Sequence, residues 1–447
     1  MDHLAGNAHA PPIPEVPRLT EHLFRHEAGK LVSVLTGIFG LDRLQMAEDV
    51  VQEALVRALQ TWPYDGIPNN PPAWLMQTAR RLALDLIRRE KVFLHKQPEI
   101  VASVEQRLAN PGLGDAPMFD DEIKDGRLRL IFACCHPLLP QEAQTALALK
   151  TLCGFSPREI AGAFLTTEAA VAKRLTRARQ SIQQQNIPFE IPSGAELSTR
   201  LDGVLQILYL LFNEGYKATS GESLVRVELF REAIQLASSL AEHPASNQPR
   251  THALLALMLL NAARLPARMD PAGNILRLQE QDRSRWDRSL IGLGLHHLAR
   301  AAAGDAFSEY HFQAGIAACH CIAPDYPSTN WPAILAHYDQ WMKISDSPVV
   351  ALNRAIAVAN VDGPAAGIRA VEAIPSRRQL DTYYLTYAVL GEFEAQLRRY
   401  PAAAAHFRNA LRLTELKSEQ SFLENRLRDC EAFQSVSCTS GDSTLSA

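Results

Sequence analysis

Residues 156–180 read SPREIAGAFLTTEAAVAKRLTRARQ. Ser156 suits a helix N-cap, Pro157 the first helical position, and Glu159 completes a capping box. The helix they open is short and is expected to stop near Phe164. Thr166-Thr167-Glu168 then restarts one, with a hydroxyl cap and an acid in the first turn. In the second helix Val171, Leu175, Ala178 and Ile182 fall on one apolar face, while Lys173, Arg174, Arg177 and Ser181 fall on the others. Ala143 to Cys153 supplies a helix to pack behind the pair. Two short helices, tightly joined, the second basic on its outer side, form the layout of a DNA-reading helix-turn-helix. The plainer alternative is an ordinary helix pair with a solvated basic face.

Working outward, an earlier stretch repeats the logic of one apolar and one charged side. In Ala47–Leu59, Val50, Ala54 and Ala58 lie together, and Asp49, Gln52 and Glu53 make a polar, mostly acidic patch. A loop expected over Tyr64–Pro72 follows, and Ala73-Trp74-Leu75 opens a second long helix. Its apolar stripe is read as Leu75, Ala79, Leu82 and Leu86; its polar side carries Gln77, Arg80, Arg81, Arg88 and Arg89. Trp62 and Trp74 suit either base stacking or core packing, and packing is preferred.

The whole chain reads as all-α. Its 447 residues imply about three domains. A composition 47% hydrophobic and 21% charged belongs to a globular protein with sizeable cores. The net charge of −4 gives no hint of nucleic acid, so the local basic faces matter more than the sum. Seven cysteines without framework spacing suggest reduced thiols. Met1–Pro17 shows no basic residue followed by an apolar core, and no apolar run approaches the ~18 residues of a membrane span. A cytoplasmic protein with no membrane contact is expected. The expected division is a first helical module at 19–96, an acidic flexible linker at 97–126, the helix-turn-helix module at 127–186, and a helical extension at 195–431.

Together these motifs are specific. Ala47–Leu59, then Ala73-Trp74-Leu75 with Thr78–Arg89, resembles the core domain of an extracytoplasmic-function sigma factor. Ser156–Arg179 resembles the same family's promoter-upstream-element domain. The chain is longer than an ordinary member and is similar to the group with a large helical C-terminal extension. Arg129–Pro137, Leu210–Tyr216 and Gln281–Asp287 look typical of that group.

The resemblance implies two partners, core RNA polymerase and promoter DNA. It places Asp49, Gln52 and Glu53 on the polymerase clamp. It makes Asn69, Asn70 and Gln77 candidates for contacting unstacked bases of the minus-ten element, with Arg80, Arg81, Arg88 and Arg89 for phosphates; strand capture needs base pockets and a basic backbone track. It places Thr167, Glu168, Lys173 and Arg174 at the minus-thirty-five element, with Arg177 and Arg179 for phosphates or domain packing. The acidic linker would either mimic nucleic acid in the polymerase channel or be plain disorder. A helix-turn-helix regulator without sigma activity and a tetratricopeptide-like scaffold are the alternatives.

Cys134-Cys135-His136 and Cys319-His320-Cys321 invite a metal or redox reading. Adjacent helical positions point about 100° apart, so neither cluster closes on a metal by itself, and buried free cysteine is the commoner case. No cofactor or metal is expected. No nucleophile–base pair, phosphate loop or paired carboxylates support catalysis. In the extension, Leu390-Gly391 with Tyr400–Leu411 resembles a tetratricopeptide helix pair, without a clean period upstream. Such a stack would offer a surface to a signalling protein or peptide. Gln281, Asp282, Arg283, Trp286 and Asp287 read equally well as a binding feature or an inter-helix network. Because the apolar Leu201–Phe212 follows the joint at Gln185–Ala195 directly, a bracing extension is preferred to a masking one.

Overall fold

A computed structural model of the chain describes residues 15–94, 125–164, 166–185, 187, 192, 195–216, 227–271, 275–304, 306–375 and 377–441. Among them there is no β-strand, and only one isolated bridge, Met269 to Ile275. The expected linker lies outside these residues except for Asp125 and Gly126. The chain forms two compact units, one running to Leu211 with His243–Ser246, the other holding Phe212–Glu242 and everything from Asn247.

In the first unit α1 (Glu15–Phe39), α2 (Leu44–Asp65) and α3 (Pro71–Leu94) pack together. They are followed by α4 (Gly126–Cys134), α5 (Gln141–Thr151), α6 (Pro157–Ala163) and α7 (Glu168–Gln184). Asp125 caps α4 through the amides of Arg127 and Leu128. Burial works against its charge, but the bonds and charge of Arg127 prevail and hold the carboxyl below its usual range.

The next helix, α8 (Ala195–Tyr216), begins inside this unit. The units therefore part near Leu211, not at the Pro-marked joint before it. In α8, Leu197, Leu201, Val204, Leu205 and Leu208 are all buried. Gly203 lies where any side-chain carbon would stand 3.1 Å from both Cys135 Sγ and Gln144 Oε1, and Arg200 donates to the Phe132 carbonyl at 3.3 Å.

The second unit contains α9 (Val227–Glu242), α10 (Pro249–Ala262), α11 (Arg288–Ala301), α12 (Glu309–Ile322) and α13 (Trp331–Trp341). It continues with α14 (Pro348–Asp362), α15 (Pro364–Glu372), α16 (Tyr384–Gln396), α17 (Tyr400–Leu411) and α18 (Lys417–Gly441). In α10 every residue from Thr251 to Leu260 is buried, as expected of a helix surrounded by neighbours. From α14 onward successive helices pack as neighbours. Gly363, at φ 88°, ends α14, and Pro364 starts α15 in the first helical position. Gly391 of α16 meets the Phe407 ring of α17 too closely for any side chain, the device that brings the resembled helix pair together. Among the described residues no helix is long and apolar enough to cross a membrane.

Candidate nucleic-acid interface

On α2 the residues Leu44, Ala47, Val51 and Leu55 follow the i, i+3, i+7 spacing of a buried face, with Val50, Ala54 and Ala58 beside them. That leaves Asp49, Gln52 and Glu53 together on the solvent side, all exposed. Glu53 pairs with Arg57 at 3.0 Å; both are half-exposed, so the pair contributes little stability. The exposed Val56 and Leu59 extend the same helix surface with apolar groups.

Glu48 belongs to neither expectation. It falls on the apolar stripe and is only 9% exposed. Its carboxylate accepts from Thr151 Oγ1 at 2.6 Å and from Arg179 Nη2 at 2.7 Å. Sequence reasoning stopped at the acidic patch beginning with Asp49. The missed sign was a carboxylate in register with Leu44, Val51 and Leu55.

Helix α2 continues through Pro63 to Asp65, so the loop before α3 is shorter than expected. Pro71 and Pro72 fill the first two positions of α3, where missing N–H groups cost nothing. Asn70 takes the cap: its Oδ1 accepts from Ala73 N at 3.1 Å. Both asparagines are exposed, but the Asn70 Oδ1 offered to DNA in the sequence reading is already engaged. Tyr64 is 88% exposed at the loop's edge.

The buried stripe of α3 is Leu75, Ala79, Ala83 and Ile87, one position on from the expected Leu82 and Leu86 in its second half. A 3.6-residue period leaves that choice to the partner surface. Gln77, Arg81, Arg88 and Arg89 are exposed. Arg80 is half-buried and its Nε is enclosed without a partner. Trp62 is buried and meets Trp74 edge-on at 5.5 Å, so both rings pack as preferred.

In the second module Ser156 and Glu159 close the expected capping box. Ser156 N donates to Glu159 Oε2 at 2.7 Å, and Glu159 N donates to Ser156 Oγ at 3.2 Å. Thr167 caps α7 by accepting from Ala170 N at 3.3 Å. Val171, Leu175, Ala178 and Ile182 are buried, the expected inner face. Thr167, Glu168, Lys173 and Arg177 are exposed. Arg174 is not free: it pairs with Glu142 at 2.6 Å and its guanidinium lies 5.9 Å from the Phe164 ring centre. Arg179 points inward to Glu48, which selects domain packing from its two expected roles.

The cysteine motifs sit largely in core, with Cys319 and His136 half-buried. Cys134 and Cys135 are buried, and burial pushes the Cys135 thiol up to about 12 despite the counteracting Arg200 charge. Burial likewise raises Cys321 to about 11, with nearby arginines opposing. Among the described residues no three His, Cys, Asp or Glu side chains converge as metal ligands. Arg283 resolves as an inter-helix network. Its Nη1 donates to the His320 and Ala323 carbonyls at 2.8 and 2.7 Å, and its Nη2 to Thr329 Oγ1 at 3.1 Å. It thereby satisfies the C-terminal carbonyls of α12, with the Trp286 ring 4.9 Å from the guanidinium.

Comparison with known proteins finds three family models along the chain. Residues 23–92 match Sigma-70 region 2, and residues 129–182 match Sigma-70, region 4. Residues 200–302 match a family of unknown function, DUF6596. An uncharacterized protein of Rhizobium meliloti (strain 1021) is 37% identical over 386 residues, which cover 86% of this chain and 90% of that protein. No solved structure matches.

Proposed function

Since the chain belongs to the sigma-70 family, carrying that family's region 2 and region 4 in order, we propose that it is an alternative sigma factor that joins core RNA polymerase to promoter DNA. We place it in the extracytoplasmic-function group with a fused helical extension, working in the cytoplasm. One observation carries the reading: a single compact unit presents an exposed acidic row, Asp49, Gln52 and Glu53, together with two helices whose outer sides carry cations. Gln77, Arg81, Arg88 and Arg89 supply α3; Lys173 and Arg177 supply α7, with Thr167 and Glu168 at its start.

The roles differ by chemistry. Arginine and lysine neutralise phosphates and set a salt-dependent affinity. Side chains in the first turns of α7 meet base edges in the major groove, where each specific contact is worth about 1–3 kcal/mol. The acidic row addresses a protein surface, because a row of carboxylates repels the phosphate backbone. A helix-turn-helix regulator has no use for that row or for α3. The protein is not proposed to catalyse any reaction, and the extension is proposed to brace region 4 and to receive a signalling protein or peptide.

The test is transcription by purified core polymerase on genomic DNA, with start sites mapped. Addition of this protein should create defined starts, and Asp49→Arg with Glu53→Arg should abolish them and weaken co-migration with the polymerase. Starts unchanged by the protein would overturn the proposal.

A further inference from the structure

The cations of α7 are not equivalent. Lys173 and Arg177, four positions apart, share its outer side; both are exposed, and no carboxylate of the described residues pairs with either. Arg174 is turned about 100° from Lys173 and lies on the flank that faces α5. Only 29% of its side chain is exposed. Its Nη2 donates to Glu142 Oε2 at 2.6 Å, and its guanidinium lies 5.9 Å from the Phe164 ring centre. Glu142 stands in the first turn of α5, and Phe164 is the residue that ends α6. One side chain of α7 therefore engages both α5 and the end of α6.

Apolar packing is non-directional. Val171, Leu175, Ala178 and Ile182 fix which side of α7 is buried, but they tolerate small rotations about the helix axis. A guanidinium is a planar fork whose bonds hold only in a narrow range of orientations. Recognition of base edges needs side chains placed within about 0.5 Å and 10–20°. The fork on Glu142 supplies the restraint that the apolar side lacks.

Direct base contact by Arg174 carries costs that Lys173 and Arg177 avoid. Arg174 would leave both Glu142 and Phe164. It would also leave the Glu142 carboxylate, 64% exposed, without its counter-charge as the phosphate backbone approaches.

We infer that Arg174 is a positioning residue and not a base reader: held by Glu142 and Phe164, it sets the rotation of α7 and so aims Lys173 and Arg177 at the upstream element. This rests on the reading of α6 and α7 as a DNA-binding pair. It replaces the direct contact that spacing along α7 suggests for Arg174.

The probes are a duplex that the full chain selects from a random-sequence pool and a scrambled duplex of the same length, with binding followed by fluorescence anisotropy. Glu142→Ala removes a negative charge, and a base-reading Arg174 freed by it would bind the selected duplex as well or better. The expected result is the reverse, a loss of at least about fivefold on the selected duplex and none on the scrambled one. Arg174→Lys keeps the charge without the fork and should lose as much. Exchanging the charges, Glu142→Arg with Arg174→Glu, should recover most of the loss, although it sets a carboxylate on α7. Helicity and unfolding midpoints should stay at those of the parent, because an ion pair this exposed contributes little stability. Glu142→Ala or Arg174→Lys that binds the selected duplex as tightly as the parent overturns the proposal, as does an exchange variant no better than Arg174→Glu alone. A loss of affinity that tracks a loss of helicity also overturns it. A parent chain that selects no sequence overturns the DNA-binding reading, and the proposal with it.

Discussion

Several arginines of the two units are put to opposite uses. In the first, Arg81, Arg89, Lys173 and Arg177 face water on the outer sides of α3 and α7. In the second, Arg283 is buried over the end of α12, and Arg277 and Arg426 share the Glu392 carboxylate at 3.2 and 2.5 Å. Histidines follow suit: His252, His311 and His320 are all buried in the second unit. A cation left outward is available to a partner. A cation spent on carbonyls and carboxylates holds helices in place. Arg179 on Glu48, and Arg200 on the Phe132 carbonyl, show the second use inside the first unit.

The comparison breaks most visibly at Arg283. Arg283→Ala leaves the carbonyls of His320 and Ala323 buried without donors and is expected to cost about 3–5 kcal/mol. Chemical denaturation should show the loss, while affinity for an upstream-element duplex should not change. A weakened duplex affinity with normal stability would reverse the assignment.

Lys173→Ala is the converse. It should lose about 1–3 kcal/mol of binding to the upstream duplex, read by fluorescence anisotropy. Its unfolding midpoint should stay at that of the parent chain, because the side chain is exposed.

Titration separates the units more gently. His252 Nδ1 meets His297 Nδ1 at 2.9 Å, and its Nε2 meets Asn247 Oδ1 at 3.0 Å, so the ring is held with one proton. Burial first, then the charges of Arg300, His297 and His296, lower it from 6.5 to about 4. The unfolded chain takes up a proton near pH 6.5 that the folded ring refuses until about pH 4. This stability is complete above pH 6.5 and is lost as pH falls toward 4, by about 1–2 kcal/mol near pH 5. His320, lowered by burial and two arginines to about 3, acts in the same direction. His252→Gln should flatten the decline in unfolding free energy between pH 7 and 5. An unchanged slope would show that the ring is not protected from protonation.

The smallest effect tests the two asparagines. Asn70→Ala removes the cap of α3 and should cost about 1 kcal/mol of stability. Asn69→Ala, at an exposed position, should stay within about 0.5 kcal/mol, so any defect in promoter opening it causes, seen by permanganate footprinting, belongs to DNA contact. Equal stability losses would erase the distinction.

Local chemistry was legible in the sequence because it is settled within a few residues. The Ser156–Glu159 box, the Thr167 cap, the inner face of α7 and the outward acids of α2 each depend on spacing along one helix, and each is found where spacing puts it. The order of the two modules, core domain first and upstream-element domain second, could be named from their motifs alone. What needed the tertiary structure was every choice between two allowed neighbours. Helical period allows Leu82 or Ala83 inward on α3, and only the packed partner selects Ala83. Composition marks a joint before Ala195, but α8 begins inside the first unit, with Gly203 against Cys135 and Gln144 and Arg200 on the Phe132 carbonyl, and the chain divides near Leu211. Sequence grouped Arg179 with the cations and passed over Glu48; contact across 131 positions made them a buried pair. The physical reason is common to all three: a helix fixes which residues share a face, and only the desolvation of that face by another element fixes which face is buried.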